Sequence, residues 1–118
     1  MDSILNSVKA YLGISEDDEA FDTDILMAIN AVMTVLYQMG IGPSDAPFVV
    51  TNALQTWRSL LGSDPIGGVR EFVCMRVRLL FDPPTNTYVV QALNDQVDEF
   101  EWRLIAEADK KAYEEVAE

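Results

Sequence analysis

The side chains with the widest chemical reach in this sequence are carboxylates, and their densest run is Ser15-Glu16-Asp17-Asp18-Glu19, followed by Phe21-Asp22-Thr23-Asp24. Closely spaced oxygen ligands raise the question of calcium. An EF-hand loop, however, needs a glycine at its sixth position and a bidentate glutamate at its twelfth. This stretch has no such glycine. It is read as a solvated loop whose acids favour the positive N-terminal end of the helix that follows.

A second acidic group, Asp98, Glu99 and Glu101, shares a helix with Arg103, and Glu99-Arg103 is a favourably oriented i, i+4 pair. A solvated or salt-bridged face explains it more simply than paired-carboxylate catalysis, because acids are abundant throughout the chain. Cys74 is the sole cysteine and there is no histidine. An internal disulfide, a thiolate zinc site and His-based triads are thereby excluded, and Cys74 is read as a small buried apolar side chain. Nor is there a phosphate-binding loop, dinucleotide fingerprint or nucleophile elbow. The expectation is a protein that is not an enzyme and uses no cofactor or metal. Arg76, Arg78 and Arg103 are expected to pair with acids in the fold or across an interface, and DNA contact is their least favoured use.

Eight Lys and Arg against twenty Asp and Glu give a net charge of −12, so the summed field repels phosphate and disfavours sequence-specific DNA binding. The 118 residues are the length of one domain, able to bury roughly 65 % of its unfolded surface around a single core. Met1-Asp2-Ser3-Ile4 lacks the basic start of a secretory signal, and a cytoplasmic site of synthesis is expected.

Helical periodicity dominates, and five helices are predicted. The first starts from a cap at Asp2 or Ser3, carries Ile4, Leu5, Val8, Tyr11 and Leu12 on one side, and stops at Gly13. The second, about Thr23 to Met39, has no charge from Ile25 onward. Its fifteen uncharged residues span only about 22 Å, short of the roughly 30 Å a membrane core requires. Asn30, Thr34 and Gln38 also draw a polar stripe along it. It is expected to be a central core helix, or one that is also covered by a neighbouring subunit. Gly40-Ile41-Gly42-Pro43 ends it, and a third helix from about Val49 to Leu61 is predicted to bury Val50, Ala53, Leu54, Trp57, Leu60 and Leu61.

Asp64-Pro65 reads as a cap followed by proline at the first helical position. The fourth helix then turns Ile66, Val69, Phe72, Val73, Val77 and Leu80 inward. Pro83 and Pro84 disfavour helical geometry at Asp82 and Pro83 and donate no amide hydrogen bond, so this helix must end near Phe81. Thr85 or Asn86 caps the fifth, whose inward positions are Val89, Leu93, Val97, Phe100 and Leu104. Asp82, Pro83, Pro84 and Thr85 thus form a structural corner, and so short a connection implies an antiparallel or sharply angled helix hairpin. Trp102 lies about 200° around the helix from both Phe100 and Leu104, facing either another helix of the bundle or another subunit. The organisation expected is an all-α compact bundle over residues 1–106, with residues 107–118 as an acidic extension that prolongs the fifth helix and frays unless a partner covers it.

Val73-Cys74-Met75-Arg76-Val77-Arg78-Leu79-Leu80-Phe81-Asp82-Pro83-Pro84-Thr85, followed by Glu101-Trp102-Arg103-Leu104, resembles the head-tail connector (adaptor, or head-completion) proteins of long-tailed bacteriophages and prophages. The opening Val8-Lys9-Ala10-Tyr11-Leu12 with its acidic loop is similar to the usual start of that family, so the likeness runs from about residue 3 to 105. The loose Gly62 to Gly68 connection and the tail after Glu107 depart from it and inherit no role. The resemblance implies a virion protein of the head–tail interface: a ring subunit, dodecameric when assembled, that docks beneath the portal and meets a tail-completion or stopper protein, with DNA passing through the centre. Under that implication Glu16, Asp17, Asp18 and Glu19, or acids of the fifth helix, are candidates for the channel lining. A cyclic ring also joins unlike patches, for which Trp57, Trp102 and the second helix, with Arg76, Arg78 and Arg103, are the candidates.

Two other functions fit parts of the sequence. An acidic mimic of DNA that inhibits a host nucleic-acid enzyme would use the charge but has no special need of the twin-proline corner. A carboxylate metal hydrolase on bundle helices usually needs Glu-x-x-His pairs, which a chain without histidine lacks.

Overall fold

The computed structural model describes residues 2–62 and 67–117, the side chains of 114–117 excepted. Five helices follow one another along the chain: α1 Ile4–Leu12, α2 Asp22–Gln38, α3 Trp57–Leu61, α4 Val69–Phe81 and α5 Thr87–Ala117. Among the described residues there is no strand, only an isolated antiparallel bridge between Ser3 and Thr56. The fold is all-α.

α1 begins where Ser3 Oγ accepts the Asn6 amide at 3.2 Å and ends where Gly13 turns left-handed at φ 79°. Both ends follow from local chemistry, a hydroxyl for an orphan amide and a residue without Cβ for the reversed turn. α2 buries Ile25, Ile29, Val32, Met33 and Leu36, the repeat of one helical face. It packs chiefly on α4, whose buried side chains are Val69, Phe72, Val73, Cys74, Met75 and Val77. α1 and α5 close the core from the sides through Ile4, Leu5, Val8, Val97, Leu104 and Ala108. Each large apolar side chain removed from water here contributes about 1.5–3 kcal/mol.

α3 is shorter than its periodicity predicts. Residues 49–56 are not helical, Leu54 is 81 % exposed and Ala53 is exposed, whereas Val50, Trp57 and Leu60 are buried. Polar side chains in the segment hold the backbone in competing turns. Gln55 Oε1 accepts the amides of Thr51 and Asn52, and Asn52 Oδ1 accepts that of Leu54. Asn30 of α2 clamps Val50 from across the fold, accepting its amide at 2.8 Å and donating to its carbonyl at 2.9 Å. The stripe residue is thus a tertiary strap. Thr56, not a residue near Val49, caps α3 by accepting the Ser59 amide.

The expected Asp64-Pro65 cap and the inward Ile66 lie outside the described residues. α4 is preceded by Gly68 at φ 95°, and a Cβ on this residue would stand 3.0 Å from the Phe100 ring. Glycine is required here twice over, for its left-handed backbone and for the close approach of α5.

α4 ends at Phe81, as the two prolines dictate, and α5 starts when Asn86 Oδ1 accepts the amides of Tyr88 and Val89. Of the two caps expected, the structure uses Asn86. Leu80 and Val89, both predicted inward, are 59 % and 48 % exposed. Both stand near the corner, beyond the core: the last fully buried residue on α4 is Val77 and the first on α5 is Val97. α5 continues unbroken through residue 107. Its 31 residues reach about 46 Å, comparable with the 47 Å greatest extent of the molecule, so the shorter helices cover only part of it.

Candidate interaction surfaces

The acidic loop is organised from beneath by a residue on α1. Lys9 is 1 % exposed. Its ammonium donates to the backbone carbonyls of Glu16 at 3.2 Å and Asp18 at 2.7 Å, and forms an ion pair with Asp22 Oδ1 at 2.8 Å. Three acceptors match the three donors of an ammonium group, so the buried charge is both paired and fully hydrogen-bonded. The loop carbonyls turn inward while Glu16, Asp17, Asp18 and Glu19 remain exposed. Asp18 Oδ1 further accepts the Ala20 amide. Among the described residues, no group of three His, Cys, Asp or Glu is placed to hold a metal ion.

The loop and the twin-proline corner meet at one end of the molecule. Phe21, just before α2, packs edge to face on Phe81, the last residue of α4, with ring centroids 5.9 Å apart. Asp24, Met27, Ala28, Ala31, Leu80 and Phe81 surround a shallow depression beside that contact. Met27, at 69 % exposure, and Leu80 give this end an apolar surface. Asp82 and Pro83 beyond it are exposed, as is Thr85, and Pro84 is half-buried.

A larger cleft of about 680 Å³ opens between α1, α4 and α5. Ala10 and Tyr11 form one wall, Cys74 and Met75 the floor, and Gln96 and Phe100 the other wall. Arg70, Glu71 and Glu16 also line it. Burial, reinforced by the nearby Glu71 and partly offset by Arg70, pushes the Cys74 thiol up to about 11 from its ordinary 9.0. At pH 8 only roughly one thiol in a thousand is then ionised. Native protein is expected to react with a disulfide reagent far more slowly than protein unfolded in urea, and equal rates would contradict the burial of Cys74. Because the folded pKa is the higher one, the neutral thiol's contribution to stability is complete below pH 9 and is lost as pH rises towards 11.

The remaining sequence-predicted residues do not form one site. Trp57 is 4 % exposed, and its Nε1 donates to Ser7 Oγ at 3.1 Å while the Arg70 guanidinium lies 5.4 Å from the ring centre. Its ring is taken up within the subunit. Trp102 is on the outer side of α5, 72 % exposed. Arg103 pairs with Glu99 on the same exposed helix face. The Arg76 guanidinium lies 5.6 Å from the centre of the Phe72 ring, and Arg78 is half-buried. Among the described residues neither Arg76 nor Arg78 has a carboxylate partner.

Sequence reasoning missed Lys9, the cleft, and the exposed Tyr88 and Tyr113 of α5. A lysine between Val8 and Ala10 on a helix followed by an acidic loop is a usable signal for the first. No local signal marks the cleft, which exists only where three helices meet. Among the described residues, no helix is long and apolar enough to cross a membrane.

A family model described as phage connector protein matches residues 4–111. No match is found among curated proteins or solved structures.

Proposed function

Because the chain belongs to the phage connector protein family, whose model spans residues 4–111, we propose that it is a structural subunit of the head–tail junction of a tailed phage or prophage, assembling as a ring beneath the portal. The family match is the observation that carries this reading. It supports a role among virion structural proteins that bind other virion proteins; in this reading the portal is the first partner and a tail-completion or stopper protein the second. The role is mechanical and non-catalytic.

The surface supports assembly. Met27 and Leu80 at the corner end, and Tyr88, Trp102 and Tyr113 on α5, leave large apolar side chains in water on separate parts of the subunit. Such patches mark interaction surfaces, and a closed ring needs unlike patches on each subunit. The approach of Phe100 and Leu104 to Gly68, at the start of α4, supports an antiparallel α4–α5 hairpin as the stiff element of the ring subunit. Charge supports the passage of DNA. A net of −12 and exposed carboxylates at Glu16, Asp17, Asp18 and Glu19, held in place through Lys9, suit a channel wall that limits adhesion to phosphate.

The test is electron microscopy of DNA-filled heads bearing the cognate portal, with and without the purified protein. A ring, dodecameric in this reading, is expected at the portal's outer end. Heads that gain no density there, under conditions where the protein instead competes with DNA for a nuclease or polymerase, would replace the connector with a DNA mimic.

A further inference from the structure

The cleft between α1, α4 and α5 is walled by side chains four residues apart on each helix: Ser7 and Tyr11, Glu71 and Met75, Gln96 and Phe100. Each such pair covers about 6 Å of wall along its helix axis, so the cleft is a trough open to solvent and not a closed chamber. Its volume of about 680 Å³ is that of a binding pocket, usually about 300–1,000 Å³. Cys74 and Met75, both 5 % exposed, give it an apolar floor.

The charge in the trough has one sign left over. Arg70, its only cation, already lies over the Trp57 ring, 5.4 Å from the centre. Glu16 and Glu71 line the same trough, and among the described residues neither carboxylate has an ion-pair partner. Glu71 raises the Cys74 thiol, after burial itself, by more than Arg70 lowers it, so the field these two residues place on the floor is negative. The rings of Tyr11 and Phe100 add faces that attract cations. The complement of this trough is therefore apolar and positively charged. A second copy of a chain of −12 fits it poorly, and so does phosphate.

We propose that the cleft receives an amphipathic helix of a different protein, its apolar side chains resting on Cys74 and Met75 between Tyr11 and Phe100 and its lysines or arginines opposite Glu71 and Glu16. A helix is the form that fits, because the walls are themselves helices whose backbone amides and carbonyls are already paired, leaving no strand edge to extend. Apolar anchors at i, i+3 or i+4, and i+7 reach along such a groove. The site stands whether or not the chain assembles as a ring.

The test uses the full chain, labelled with ¹⁵N, and synthetic amphipathic helices that share one leucine stripe and carry lysine, glutamine or glutamate on the polar face. The lysine peptide is expected to shift the amide resonances of Tyr11, Cys74, Met75 and Gln96, to slow labelling of Cys74 by a disulfide reagent further, and to bind roughly tenfold tighter than the glutamine peptide. The glutamate peptide is expected not to bind. Ala10→Trp, which fills the trough from an exposed wall position, and Glu71→Lys are each expected to weaken the lysine peptide roughly tenfold or more. Asp98→Lys changes the net charge as much as Glu71→Lys does, but on an exposed face of α5, and is expected to leave binding unchanged.

Equal loss in Asp98→Lys and Glu71→Lys overturns the proposal, since attraction would then come from overall charge. Equal binding of the lysine and glutamine peptides overturns its cationic preference. The same resonances shifting when the protein alone is concentrated would make a second copy the occupant, and hexylammonium matching the lysine peptide would make it a small organic cation; either result overturns the helix. None of these outcomes touches the connector assignment, which rests on the family match.

Discussion

Lys9→Met is expected to destabilise the chain by about 3 kcal/mol. Methionine keeps most of the stem's volume but removes the charge, so Asp22 loses its cation and the Glu16 and Asp18 carbonyls lose their donor. Breaking a buried pair by deleting one partner costs about 3–5 kcal/mol. Asp22 is 26 % exposed and regains some water, which places the effect at the low end. Urea unfolding of wild type and variant measures it directly. Faster proteolysis within residues 15–21 is expected to accompany the change, because the anchored carbonyls belong to that loop. A midpoint unchanged from wild type would show that the acidic loop does not depend on its lysine.

The second large effect is at Trp57. Trp57→Ala is expected to cost the free subunit about 3–5 kcal/mol, the usual range for deleting a buried aromatic. It removes the ring from the core, the Nε1 donor from Ser7 and the aromatic face beneath Arg70. Trp102→Ala is expected to change the stability of the free subunit by less than about 0.5 kcal/mol, as at other exposed sites without internal partners. Thermal melts of the two variants at a concentration where the protein is monomeric separate these roles. Similar losses for both would contradict the division of the two tryptophans into an internal and an external one.

That division shows how far sequence patterns reach. Trp102 was legible as an outward residue because helical spacing places it opposite Phe100 and Leu104, and a long regular helix preserves that angle. Trp57 was predicted to lie on the apolar face of a helix from about Val49 and was also a candidate for the ring interface. The helix is much shorter, since Asn52, Gln55 and the Asn30 clamp hold the preceding residues in turns. Its tryptophan is nevertheless internal, pinned by the Trp57 amide to the Asp2 carbonyl and by Nε1 to Ser7. Periodicity found the buried side chain and misjudged the backbone that carries it, because a long-range side-chain clamp leaves no mark in a local window.

The same contrast runs through the candidate surfaces. The acidic run was legible as a loop before a helix, but its dependence on Lys9 was not, because that contact joins residues up to thirteen apart in sequence through a buried charge that composition counts as solvated. Cys74 was legible as apolar, while its place on the floor of a cleft depends on α1 and α5 arriving from opposite ends of the chain. Leu80 and Val89 had the correct helical phase and were still left exposed, since phase specifies a direction and not whether anything lies there.

Sequence alone determined the all-helical class, the stop at Gly13, the break after Phe81 and the outward aspect of Trp102. Each depends on forces within about one helical turn: a missing Cβ, a missing amide donor, a hydroxyl or amide cap, the 3.6-residue repeat. Tertiary structure decided the burial of Lys9, the shortening of α3, the cleft between α1, α4 and α5, and where the core ends along α4 and α5. Those features arise from the meeting of segments distant in sequence, where desolvation and packing against a particular neighbour outweigh local preference.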